Sequence, residues 1–144
     1  MPHRPIREVI GQRPFPTVSP GTTIRHSSII MREMKSSAVL VVDKGKLLGI
    51  LTERDIVFRV VALGLDPAAT PVESIMTTKV QTIHKDKPFG HALHLMYEGG
   101  FRHMPVVDGR GTPVGLLAAH DALDIDGLQL GQDLVRREEI SVIL

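Results

Sequence analysis

The sequence predicts an α+β protein, α/β-like in its local alternation, made of two β-α-β-β-α repeats packed with pseudo-two-fold symmetry. Three observations carry this. First, Ser36-Ser37-Ala38-Val39-Leu40-Val41-Val42-Asp43, followed by Gly49-Ile50-Leu51-Thr52-Glu53-Arg54-Asp55, returns in altered form. The second version is Phe101-Arg102-His103-Met104-Pro105-Val106-Val107-Asp108, then Gly115-Leu116-Leu117-Ala118-Ala119-His120-Asp121. Second, the hydrophobic period switches from helical to extended in the same order in both copies. Third, the repeat is too long for a solenoid unit and too short for an ordinary free-standing domain, so the copies need each other.

Residues 5–10 and 71–76 read as short helices leading into each copy, with brief extended segments at Thr17-Val18 and Val80 to Ile83. A one-faced helix follows, on Ile24, Ser27, Ser28, Met31 and Lys35 in copy one and on Phe89, Ala92, Leu93, Met96 and Gly100 in copy two. Thr22 and Asp86 are the expected helix starts. The Val-rich runs Ala38 to Val42 and Met104 to Val107 read as buried strands. Asp-and-Gly turns join them to a second strand, Leu47 to Leu51 and Val114 to Leu117. The first copy closes with a helix from about Glu53 to Leu63, expected to bury Ile56, Val57, Val60 and Val61. Copy one spans 5–66 with its leading helix and copy two 71–125. A tail at 126–144 holds a last helix, about 133–140. A three-stranded sheet with helices on one side leaves an apolar face, and the other copy is the nearest cover. Any site is then expected where the copies meet.

Composition narrows the function. Hydrophobic residues make up 42% and charged residues 23%, as in ordinary globular proteins. A net charge of +1 with dispersed basic residues gives no nucleic-acid footprint, and 3% aromatics without Trp supply no base-stacking platform. The lack of Cys excludes disulfides, thiolate zinc sites and cysteine nucleophiles. No apolar run approaches the roughly 20 residues of a membrane helix, and the polar N-terminus leads into no signal core. The expectation is a soluble, cytoplasmic protein with neither a membrane nor a nucleic-acid partner.

The element order, with Gly-Ile-Leu-Thr-Glu-Arg-Asp at 49–55 and Phe-Arg-His-Met-Pro-Val-Val-Asp at 101–108, closely resembles the cystathionine-β-synthase (CBS) domain pair, or Bateman module, over residues 5–125. The resemblance implies two clefts between the copies that bind adenine ligands such as AMP, ADP, ATP, NAD or S-adenosylmethionine. It also implies a stand-alone regulatory module without catalysis, forming a homodimer through helix faces and acting on an unidentified effector protein. The adenine nucleotide would be a regulatory ligand, with no catalytic cofactor.

Residue by residue, two clefts follow. Thr52 to Asp55 has the shape of a capping box. Under the resemblance, Asp55 accepts hydrogen bonds from the ribose hydroxyls, while Thr52 and nearby N–H groups face phosphate at a helix N-terminus. Ala118 cannot cap by side chain, yet Asp121 remains; that suits a ribose acceptor, with first-turn dipole stabilisation as the alternative. Read alone, Arg102 and His103 are a solvated loop charge beside a satisfied histidine. Under the resemblance they reach the phosphate of a nucleotide held by the opposite copy. Cleft A thus combines Thr52 and Asp55 with Arg102, His103 and the segment holding Val80, Thr82 and Ile83. Cleft B combines Asp121 and neighbouring His120 with Thr17, Val18, Ser37 and Ala38. It lacks both the basic pair and the Thr hydroxyl, so cleft A is expected to bind phosphorylated ligands more strongly.

Two other classes compete. One is an interaction scaffold with vestigial clefts. The other is a metal-dependent hydrolase using His120 and Asp121, although that dyad follows a strand and lacks the further ligands such sites need. His84, His91 and His94 also lack a fixed third or fourth ligand and read as a helix surface, so no metal site is expected.

Overall fold

The computed structural model describes residues 3–124, and the helix expected at 133–140 and the tail at 126–144 lie outside them. Helix α1 (Ile6–Ile10) precedes the first unit: β1 (Thr17–Val18), α2 (Ile24–Met34), β2 (Ala38–Asp43), β3 (Lys46–Thr52) and α3 (Glu53–Ile56). The second unit has β4 (Ile83–His84), α4 (Phe89–Gly99), β5 (His103–Val107) and β6 (Pro113–Ala118), and residues 121–124 are helical. Each unit forms a three-stranded sheet of the same design. β1 runs parallel to β2 and β2 antiparallel to β3; β4, β5 and β6 repeat this. Both hairpins even shift register at the same place, between Val41 and Val42 and between Val106 and Val107.

The helical faces bury Ile24, Ser27 and Met31 on α2, and Phe89, Ala92 and Met96 on α4. Both helices stop on a left-handed residue, Lys35 (φ 52°) and Gly100 (φ 70°). Their starts differ from expectation. Thr23 caps α2 by accepting a hydrogen bond from the His26 N–H (3.1 Å), while Thr22 Oγ1 pairs with Ser19 Oγ at 3.0 Å. Pro88, not Asp86, stands at the N-cap of α4.

The closing helix of copy one is also different. After one α-turn it widens into a π-helical stretch, Val57–Val61, with Ala62 N–H donating to the Val57 carbonyl (2.9 Å). Val60 is buried and Ile56 half-buried, but Val57 is 51% and Val61 63% exposed, so their expected burial does not hold. The core around Val60 is completed by Val72 and Ile75 from the segment leading into copy two.

Those two residues reveal an exchange. The segment leading into copy two packs on copy one, and α1 packs Ile6 and Ile10 into the core of copy two, with Ile83, Phe89 and Met104. Backbone pairs fix each crossing. Ile6 N–H donates to Lys87 O (2.9 Å) and Phe89 N–H to Arg4 O (2.7 Å); Ile24 N–H donates to Thr70 O (2.9 Å) and Val72 N–H to Thr22 O (2.7 Å). Glycine permits the close approach. A Cβ on Gly49 would stand 2.7 Å from the Thr77 carbonyl oxygen, and one on Gly115 2.7 Å from Ile10 Cδ1. A third apolar cluster of Ala38, Leu40, Ile50 and Leu116 joins the two sheets, with Phe15 and Val80 against it. The apolar face left open by one copy is therefore covered by the other.

Candidate functional site

Each hairpin delivers an aspartate to the start of a helix where the copies meet. In copy one the capping box is formed: Asp55 N–H donates to Thr52 Oγ1 (3.2 Å) and Thr52 N–H donates to Asp55 Oδ2 (3.0 Å). The second carboxylate oxygen keeps most of its accepting capacity, since Arg59 Nε comes only within 3.8 Å. In copy two, Asp121 still performs half of the box by accepting from Ala118 N–H (2.9 Å). Loss of the Thr hydroxyl therefore did not free Asp121 from a capping role, because the backbone N–H that it satisfies remained.

Cleft A is a cavity of about 590 Å³ between the copies. Thr52 and Asp55 of copy one line it together with Arg102 and His103 of copy two and with Val80. Thr82 instead lines a separate cavity beside the hairpin turns, and Ile83 is buried in the core of copy two. Sequence reasoning missed Arg54, Phe58 and Lys79, which also line cleft A. Arg54 and Phe58 are one helical turn apart, and the Arg54 guanidinium lies 4.9 Å from the Phe58 ring centroid. The i, i+4 spacing of Arg54 and Phe58 on the expected closing helix was the available signal. With Arg54, Lys79 and Arg102 against Glu53 and Asp55, the walls carry an excess of cations, a setting for an anionic group.

His103 stands on the partition, lining both clefts. Its Nε2 lies 2.6 Å from Ser37 Oγ, a hydrogen bond between the copies. Burial pushes the imidazole below its ordinary pKa, against the raising influence of Glu53. The shift favours the neutral ring, which disfavours a charge-assisted contact from His103 to phosphate.

Cleft B is much smaller, about 160 Å³. Asp121, His120 and Ser37 line it, whereas Val18 and Ala38 are buried in core clusters and exposed Thr17 lies outside the lining. Arg13 also lines it, unforeseen by sequence. Its Nη1 and Nη2 donate to Asp121 Oδ1 and Oδ2 at 2.8 Å each, and Nη2 also donates to the Leu116 carbonyl at 2.9 Å. Burial alone would raise the Asp121 carboxyl; the hydrogen bonds from Arg13 and Ala118 outweigh it and hold the group below its usual pKa. The acceptor atoms of His120, Asp121 and Asp124 lie within 4.8 Å of one another. Arg13 already occupies both oxygens of the central member, which leaves only an exposed imidazole and an exposed carboxylate for a metal.

The CBS-domain family model matches this chain twice, at residues 6–62 and 72–127. The chain belongs to the CBS-domain family. Among CBS relatives it is 42% identical over 100 residues to the CBS domain-containing protein CBSCBSPB1 of Arabidopsis thaliana, covering 69% of this chain but only 18% of that one. A CBS domain protein of Pyrobaculum aerophilum, PAE2072, solved in complex with AMP, superposes with a TM-score of 0.76 at 25% identity. That match covers 82% of this chain and 89% of the other. The CBS domain pair of protein MJ0100, solved with 5′-methylthioadenosine and S-adenosyl-L-methionine, gives 0.79 at 27% identity over 89% and 99%. No helix among the described residues is long and apolar enough to cross a membrane.

Proposed function

We propose that this CBS pair is a regulatory sensor that binds a phosphorylated adenine ligand in cleft A and passes the result to a separate protein. The supporting observation is the assembly of that cleft from both copies: Asp55, with an available oxygen, faces Arg102 across a cavity of about 590 Å³. That volume lies within the usual range of about 300–1,000 Å³ for small-molecule sites. In this reading Asp55 accepts from the ribose hydroxyls and Arg102 contacts phosphate, with Lys79 and Arg54 adding charge. The ligand bridges the copies and shifts their relative populations by its differential affinity. The complexes of the two structural relatives with adenosine-containing ligands support the ligand class.

The module acts as a homodimer through the surface after α3. Val57, Phe58, Val61, Leu63 and Leu65 are all exposed there, a grouping that favours a protein contact. Phe58 belongs both to this surface and to the wall of cleft A, which gives ligand and dimer a shared element. Calorimetric titration with AMP, ATP, NAD and S-adenosylmethionine tests the sensor. Saturable binding to at least one ligand, lost in Asp55→Ala, is expected. No binding at millimolar ligand would leave the interaction scaffold as the better account.

A further inference from the structure

We propose that Arg13 closes cleft B to nucleosides and so sets the number of bound nucleotides at one per chain. The inference rests on the sensor reading of cleft A. It starts from a difference between two aspartates at the same position of the repeat. Asp55 has an oxygen with no hydrogen bond among the described residues, the nearest cation being 3.8 Å away. Asp121 has no such oxygen: Arg13 donates to both at 2.8 Å, and Ala118 N–H donates a second hydrogen bond to Oδ2. A ribose diol needs those same acceptors.

The guanidinium is also fixed in place. Its bond to the Leu116 carbonyl ties it to β6, and the bidentate geometry suits a planar fork. Asp121 is only 3% exposed while the Arg13 side chain is 41% exposed, so a ligand that displaced Arg13 would have to satisfy a buried carboxylate in place of a bidentate, charge-assisted pair. Steric room is short as well. About 160 Å³ remains in cleft B, below the usual range for a site holding an organic ligand.

The matching basic residue in the segment leading into copy two is Lys79, aligned by Pro5-Ile6 with Pro71-Val72. Lys79 lines cleft A, and no ion pair within 4 Å joins it to Asp55 among the described residues. A Lys carries a point charge, not a fork, and cannot clamp a carboxylate in the same bidentate way. The Arg-for-Lys difference between the copies thus becomes the feature that separates an open cleft from a closed one. It is a specificity determinant carried by the segment before the repeat proper.

The test is AMP and adenosine stoichiometry by calorimetry on the full chain, with thermal melts as a folding control. Wild type is expected to bind one ligand per chain, and Asp55→Ala none. Arg13→Gln, which keeps amide donors but removes the charge and the fork, is expected to bind two. The double variant Arg13→Gln with Asp55→Ala should bind one, at an affinity for cleft B raised on the order of tenfold to a hundredfold over wild type. Arg13→Lys serves if the Gln variant melts early, and it too should gain the second site. Two ligands per wild-type chain would overturn the proposal, as would a folded double variant that binds none. If wild type binds none while the Arg13 variants bind one, the sensor reading of cleft A fails and the closure of cleft B stands.

Discussion

Ser27 and Ala92 occupy the same turn of the same helix in the two copies, and both are fully buried. Ser27 Oγ has no hydrogen-bond partner among the described residues, and such a group costs about 1–3 kcal/mol relative to a satisfied one. Ser27→Ala should therefore leave stability unchanged or raise it by about 1 kcal/mol in urea unfolding; a clear loss would show that the hydroxyl is satisfied. His103 makes the opposite kind of residue-scale prediction. Its folded-state pKa lies below the unfolded value of about 6.5, so the folded state binds fewer protons than the unfolded one. Stability should be complete above about pH 6.5 and fall as pH drops through that value, until the folded pKa is passed. Unfolding curves at pH 7.5 and 5.5 check this, and the drop should shrink in His103→Gln. A drop equal to that of wild type would remove His103 as its source.

At the scale of elements, the periodic segments were legible because each has one buried face and a Gly-containing turn beside it. β2, β3, β5 and β6 follow from apolar runs, Val-rich in β2 and β5 and Leu-containing in β3 and β6, around Asp43-Lys44-Gly45 and Asp108-Gly109. The exchange of the leading helices was not legible, because Ile6-Ile10 and Val72-Ile75 carry the same kind of apolar pair and either would fill either core. Exposure of Val57 and Val61 was hidden for a related reason: four apolar residues at 56, 57, 60 and 61 make a stripe wider than the core contact needs. Gly49 and Gly115 mark where each exchanged segment crosses a hairpin. Alanine at either place forces Thr77 and Met76, or Ile10, to move, at a cost of about 1–3 kcal/mol. Thermal unfolding of Gly49→Ala and Gly115→Ala should show both losses; full stability in both would contradict the close approach.

For the molecule as a whole, two half-units share one interior, and their differences decide what each cleft offers. The sequence resemblance located Thr52, Asp55, Arg102 and His103, which line one cavity. It did not reveal Arg13, since a lone Arg after Gly11-Gln12 has no local pattern that ties it to a residue 108 positions away. The apolar surface at Val57, Val61 and Leu63 belongs to this scale too. Val61→Asp should convert a dimer to a monomer in sedimentation or size-exclusion measurements, with the melting profile of the chain retained. An unchanged dimer would place the interface elsewhere.

The most direct test of the central claim compares AMP with adenosine in wild type and in Arg102→Ala. If Asp55 of one copy holds ribose while Arg102 of the other holds phosphate, the variant should bind AMP ten- to a hundredfold more weakly, from loss of about 1.5–3 kcal/mol of charge-assisted hydrogen bonding. Its affinity for adenosine should be unchanged. Equal loss for both ligands, or none for AMP, would contradict a phosphate held across the two copies.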